Sequence, residues 1–296
     1  MKHLKFDKTK IAIISAILSA VLYAICIPCV KTISPYVASA TTGALLYLGA
    51  GFGLFISYIF KKNKKIILLS KQDLPYTSSM IILDILAIIL LMFGIKYTNS
   101  ANVSLLGNFE LVATSAVAFF LFKGSVSKKL MTAIILITLA SIILSFESKE
   151  SLVFNIGSLF VILSCVCWGI ENNCTRMISN KDTRQITMIK GIFSGLGSVI
   201  IAFFLKESIP EVKWIIIILL LGCISYGISV CLYIYAQRYL GATKTGALYS
   251  ITPFAGALFS ILFLREQPIF QFYIALFIMI LGTILVIKDS FEHYNP

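Results

Sequence analysis

Long apolar runs broken by short polar connections recur along the whole chain, and that pattern organises everything else in it. A helix needs about 20 apolar residues to cross the hydrocarbon core of a bilayer. Ten runs meet or approach that length: 11–30, 37–60, 76–96, 101–122, 130–146, 153–174, 186–206, 213–236, 243–264 and 269–288. The fifth is short, and flanking lysines can snorkel to the interface to accommodate it. Every connection is short, so no soluble domain is expected. The pattern predicts an all-α integral membrane protein of ten transmembrane helices.

Composition agrees. Hydrophobic residues make up 58% of the 296 residues, charged residues only 13%, and the mean hydropathy is +0.94. Charged residues near a quarter of the chain are usual in soluble domains. A net charge of +12 suggests nucleic acid at first sight, but the basic residues sit in the short connections and form no binding stripe. They set topology instead. With the N-terminus in the cytoplasm, the inside segments hold eighteen Lys and Arg and the outside segments six, with Lys190 left to a helix. Both termini are therefore expected to be cytoplasmic, in a multi-pass cell-membrane protein.

The chain also repeats itself. "LSAVLYAICIPCVKTIS" (Leu18 to Ser34) aligns without a gap on "LSCVCWGIENNCTRMIS" (Leu163 to Ser179), and Tyr97 to Lys123 aligns on Tyr239 to Arg265. Two nearly equal offsets imply two halves of five helices, 1–150 and 151–296. Five is odd, so the second half enters the membrane from the opposite side. Inverted repeats are the architecture of alternating-access carriers, with the substrate site between the halves near the midplane.

Ionisable groups inside a bilayer normally face a cavity or a partner. Asp84, Glu110, Glu171 and Lys190 are the four that stand out. At 1.5 Å of rise per residue, Glu110 lies roughly 14 Å and Asp84 roughly 12 Å into the membrane. Glu171 and Lys190 fall at a matched level toward the cytoplasmic side, which suits an ion pair, either a structural bridge or one with a gate or substrate role. Ser164, Trp168, Glu171 and Thr175 share one helical face, with Asn172 beside it, and the repeat counterpart is Ser19, Tyr23, Cys26 and Val30. Tyr23 and Trp168 are read either as an aromatic box for a ligand or as ordinary packing.

Glu110 shares a face with Gly107 and Thr114, matched in the ninth run by Tyr249, Thr252 and Gly256, with Asn108 nearby. Pro253 lacks an N–H, so it either kinks its helix or frees the Tyr249 carbonyl to bind a cation or an amino group. Glu110 is the first choice for carrying a proton or holding an amine. Asp84 has only apolar helical neighbours, so its partner must come from another helix. Glycines 43, 49, 51 and 53, and 191, 195 and 197, give small-residue faces suited to close helix contacts. Arg176, Arg238, Lys61 to Lys65 and Lys128–Lys129 read as topology and headgroup contacts.

Other chemistry finds little support. The histidines, His3 and His293, lie at the two ends, so no histidine base, metal site or cofactor is expected. "CIPC" (Cys26 to Cys29) lacks the soluble βαβ setting of a redox motif. No phosphate-binding loop points to ATP hydrolysis. An intramembrane enzyme, or a non-transporting sensor or assembly protein, are the alternative classes.

"YAQRYLGATKTGALYSITPFAGALFSILFLREQP" (Tyr235 to Pro268), with Lys190–Gly191 in the seventh run, resembles the EamA-type permeases of the drug/metabolite transporter superfamily. The matching features are Gly246–Ala247, Thr252–Pro253 and Glu266. The first half departs from that pattern, with Glu110–Leu111 in place of Thr–Pro and Lys123–Gly124 in place of Arg–Glu. The resemblance spans nearly the whole chain. It implies a bacterial inner-membrane carrier, monomeric or homodimeric, often an exporter of amino acids, other metabolites or drugs. Together with the intramembrane charges, the expected cargo is a small polar metabolite, amino acid-like or cationic, moved by a secondary carrier that Glu110 could couple to protons.

Overall fold

The computed structural model describes residues 2–60, 67–97, 106, 109–124, 126–145, 156–264 and 270–292. Its elements are α1 (Lys2–Ile33), α2 (Ser39–Phe60), α3 (Leu74–Tyr97, after a 3-10 turn Lys71–Asp73), α4 (Phe109–Phe120) and α5 (Lys128–Ser145). They continue with α6 (Ile156–Ile178), α7 (Thr183–Phe204), α8 (Val212–Leu221), a π-helical segment (Gly222–Ile228), α9 (Ser229–Tyr249), α10 (Thr252–Leu264) and α11 (Phe270–Glu292). Among the described residues, 7 helical segments are long and apolar enough to cross a membrane, one of them, Val212–Tyr249, holding two helices joined across Gly241. The expected fourth run, 101–122, lies partly outside the described residues.

Large apolar side chains cover the outside of the bundle as well as filling parts of its interior. Phe203 and Phe204 are 78% and 77% exposed, and Leu262, Phe263 and Phe277 also face outward. Inside lie Ser19, Asp84, Ser164, Glu171, Ser194 and Gln237, all buried. Hydrocarbon gives apolar side chains no reason to hide, while polar ones must find partners inside the bundle. The chain is thus a multi-pass membrane protein.

Helix pairing follows a regular scheme. α2 packs on α7, α5 on α11, α1 on α9 and α10, and α6 on α3 and α4. The α2 contacts are backbone-close because of glycine. A Cβ on Gly49 would lie 2.2 Å from the Leu219 carbonyl oxygen, and one on Gly191 would lie 2.6 Å from the Gly51 nitrogen. The expected small-residue faces therefore do bring helices together, except at Gly43, where a Cβ meets nothing within 4 Å.

One boundary agrees with the sequence pattern and one does not. The break expected between 236 and 243 is present: Gly241, at φ 80°, ψ 171°, is non-helical and joins two helices within α9, and the Tyr233 and Tyr249 rings, 5.0 Å apart, show that the chain doubles back there. Glycine adopts that left-handed φ without steric penalty. Just before Gly241, Arg238 donates to the carbonyls of Ser179 and Lys181, each at 2.5 Å. Arg238 is thus a clasp on the α6–α7 turn, while Lys129 forms an exposed ion pair with Glu292. The second break falls at Ser250–Ile251, and Pro253 sits in the first turn of α10, where a missing N–H is tolerated.

The two ends of the bundle are tied differently. At one, Glu207 accepts the backbone N–H groups of Ala40 and Thr41 and the Thr41 hydroxyl, capping α2. At the other, Lys181 pairs with Asp73 at 2.9 Å, Leu69 N–H donates to Gln185, and Asp182 N–H donates to the Ile67 carbonyl. Behind that second clasp Met80, Ile178, Ile186 and Ile234 form a fully buried apolar cluster.

A Gly49→Val variant is expected to lose about 1–3 kcal/mol of stability from overpacking against Leu219. Gly43→Ala is expected to unfold like the wild type. Thermal unfolding in detergent compares them, and equal midpoints for the two would contradict this packing.

Candidate functional site

A cavity of about 560 Å³ lies between the helices, and its wall is built by α1, α2, α3, α4, α6, α7, the π segment and α9. It reaches Ser39 and Ala40 at the Glu207 end, and Ser39 is exposed. Toward the other end it stops at the apolar cluster. Met80 lies four residues before Asp84 and Ile186 four before Lys190, so one helical turn separates the charges from the plug.

The charged floor is a triad. Lys190 Nζ lies 3.0 Å from Glu171 Oε1 and 3.8 Å from Asp84 Oδ1. Glu171 also accepts the Thr175 hydroxyl at 2.6 Å, the i+4 neighbour on its own helix. Asp84 Oδ1 accepts from Tyr47 OH and Trp168 Nε1, both at 3.2 Å. The Glu171–Lys190 pair expected from matched depth is present, and Asp84 joins it through partners on three other helices. An ammonium fills the space between the carboxylates. Among the described residues no group of three or more His, Cys, Asp or Glu is arranged to hold a metal ion.

Glu110 stands apart from the triad. Its Oε1 accepts the Asn172 amide at 3.0 Å, and no basic side chain among the described residues forms an ion pair with it. Asn173 ties α6 to α4 by donating to the Thr114 carbonyl at 3.0 Å, and Gly169 lets the two helices approach closely. α9 lies against α4 here: a Cβ on Gly246 would be 3.6 Å from Leu111 and 3.7 Å from the Tyr233 hydroxyl.

Five tyrosines complete the wall as a connected series. Ring centroids are 4.8 Å apart for Tyr47–Tyr226, 5.7 Å for Tyr226–Tyr23, 5.9 Å for Tyr23–Tyr249 and 5.0 Å for Tyr249–Tyr233. Tyr226 belongs to the π segment, a local geometry frequent at functional sites.

Of the residues singled out from sequence, Tyr23, Asp84, Glu110, Trp168, Glu171, Asn172, Lys190 and Tyr249 line this one cavity. Asn108 lies outside the described residues. Thr252 is buried behind the wall, and its hydroxyl donates to the Tyr249 carbonyl at 2.6 Å. The carbonyl freed by Pro253 is therefore taken by Thr252, and Tyr249 presents its ring to the cavity. Tyr47, Tyr226 and Tyr233 were missed as wall residues. The signal was there for two of them, since Tyr226, Ser229, Val230 and Tyr233 recur at helical spacing and all line the cavity.

Known proteins match over nearly the full length. The model of the EamA-like transporter family matches residues 10–146 and again residues 155–288. An uncharacterized transporter of Methanothermobacter thermautotrophicus is 23% identical over 294 residues, covering 92% of this chain and 85% of the relative. A crystal structure described only as that of a protein superposes with a TM-score of 0.80 at 13% identity, covering 97% of this chain and 98% of the other. That likeness concerns the fold.

Removing one member of a buried ion pair leaves the other uncompensated, at a cost of about 3–5 kcal/mol. Lys190→Met is expected to unfold earlier by that order. The Lys190→Met/Glu171→Gln double variant is expected to recover part of the loss, Asp84 being left without the ammonium. Thermal unfolding checks this, and a double variant no more stable than the single one would contradict the pairing.

Proposed function

This chain belongs to the EamA-like transporter family and is a membrane transporter, and from that premise we propose that it is a secondary carrier for a small amine-bearing or cationic solute. The observation that carries the reading is the wall of the cavity. It holds three carboxylates, Asp84, Glu110 and Glu171, against the one ammonium of Lys190, together with five tyrosines and Trp168. Carboxylates attract a cation by charge, and aromatic faces attract it through their quadrupoles. A buried anionic cargo would meet repulsion from three sides.

The carrier works by alternating access between two inverted halves, 1–150 and 151–296, of five helices each. The helix contacts support this. Advancing each helix by five positions in the expected order of ten spans exchanges the α1 contacts for the α6 contacts, and returns the α2–α7 and α5–α11 pairs to themselves. The two matched stretches fall on the same halves. With the positive-inside orientation, both termini are cytoplasmic and the apolar plug with its Lys181–Asp73 clasp is the cytoplasmic gate. The cavity then faces outward in this state. Export across the inner membrane is the direction the family resemblance implies, and Glu110, without a basic partner among the described residues, is the group that exchanges a proton against cargo.

Reconstituted protein is expected to move radiolabelled amines across proteoliposomes in response to a pH gradient. Glu110→Gln should slow that flux roughly tenfold or more, the loss expected for a charged hydrogen bond. Absence of flux for every solute at every gradient would contradict the reading. Orientation is tested separately with reporters fused to the C-terminus: a fluorescent protein should be bright and alkaline phosphatase inactive, and the reverse would overturn the cytoplasmic assignment.

A further inference from the structure

Lys190 is shared unequally by two carboxylates. It lies 3.0 Å from Glu171 and 3.8 Å from Asp84. The charges do not balance, because one ammonium serves two buried anions. The shortfall is visible at Asp84, which is 1% exposed. Its Oδ1 takes the Tyr47 and Trp168 donors, while its Oδ2 is buried with no hydrogen-bond partner among the described residues. A buried carboxylate oxygen without a donor is a strongly unfavourable arrangement that a second cation would relieve.

We propose that Lys190 is a built-in competitor for the transported cation: the cargo's ammonium takes Glu171, and Lys190 moves onto Asp84, supplying the donor its Oδ2 lacks. This rests on the cavity being the cargo site. With cargo bound, each carboxylate has its own ammonium. With cargo gone, Lys190 returns to Glu171, so the site is never left with two unneutralised anions. The long lysine side chain does the moving, because its helix is pinned by the backbone contact of the adjacent Gly191 with Gly51.

The arrangement also selects the cargo. Lys190 is the one basic residue on the cavity wall among the described residues, and it is already engaged. An amino acid's carboxylate would find no free cation and three repelling carboxylates. Glu171 is matched by a group with N–H donors and a positive charge, so the class is a primary amine rather than a zwitterion. The exchange also has a mechanical side. Glu171 and Lys190 lie on α6 and α7, and Asp84 lies on α3, so the exchange trades a bond between sequential helices for one that links the two stretches of chain.

The chain has two tryptophans, so a Trp214→Phe background leaves Trp168, the donor to Asp84, as the fluorescent reporter. Butylamine is the probe, with butanol and butyrate as neutral and anionic matches, and norvaline as the same amine carrying a carboxylate. Affinity is read by equilibrium dialysis of radiolabelled butylamine. Butylamine alone should bind saturably and shift Trp168 emission. Lys190→Met, which removes the competitor, should bind butylamine roughly tenfold tighter or more without the emission shift. Asp84→Asn, which removes the refuge of Lys190, should bind it roughly tenfold weaker. Lys190→Gln gives the same test with a side chain that keeps hydrogen-bonding capacity, should Lys190→Met not fold.

A purely structural bridge predicts weaker binding in all three variants, and that result overturns the exchange. So does norvaline binding as tightly as butylamine. Opposite signs at Lys190 and Asp84 with no flux in proteoliposomes would uphold the exchange and sink the transport reading. Flux with weaker binding in every variant would do the reverse.

Discussion

An ammonium held in the middle of a membrane protein, between two carboxylates, is the constraint from which the rest of this structure follows. Lys190 cannot be left in hydrocarbon alone, so α3, α6 and α7 must converge on it. Convergence requires α2 to lie backbone-close to α7, and glycine at 51 and 191 makes that possible. The charges in turn need a polar surround, which the tyrosines, Trp168, Asn172 and Thr175 supply, and the result is a cavity between the helices. Apolar residues both pack the interior around it and face outward.

The parts of this site that could be read from the sequence are those whose energetics are local to one helix. Glu171 stands out because a charge in an apolar run needs a partner, and helix rise alone puts Lys190 at its level. Trp168 and Thr175 follow from spacing on the same face. Asp84 could be seen to need a partner, but not which one, because its donors come from Tyr47, Trp168 and Lys190 on three other helices. Tyrosines 47, 226 and 233 escaped notice for a related reason. A tyrosine in an apolar run reads equally as packing, and only assembly shows which ones share a wall.

The errors were about backbone. The break expected between 236 and 243 is made by Gly241, but a further interruption at Ser250–Ile251 splits the ninth run. Hydrophobic periodicity is blind to an interruption inside a single apolar run. The freed carbonyl near Pro253 likewise looked available, but Thr252 folds back to it, a hydroxyl satisfying a neighbour within one turn. Asn108 and much of the stretch before Glu110 lie outside the described residues.

Two different closures at the ends of the bundle give the cavity its direction. One end is capped by Glu207 on α2 and is reached by the exposed Ser39; the other is shut by the Met80 cluster and the clasp of Asp73, Lys181 and Gln185. The central claim is that this second closure must open for cargo to pass. Leu69 N–H donates to Gln185 across it at 2.8 Å, so Leu69→Cys/Gln185→Cys, in a background with the native cysteines replaced, can lock it with a disulfide. The locked protein should still bind butylamine from the opposite side yet carry none across a proteoliposome membrane, with flux returning on reduction. Undiminished flux through the oxidised, locked protein would contradict the account.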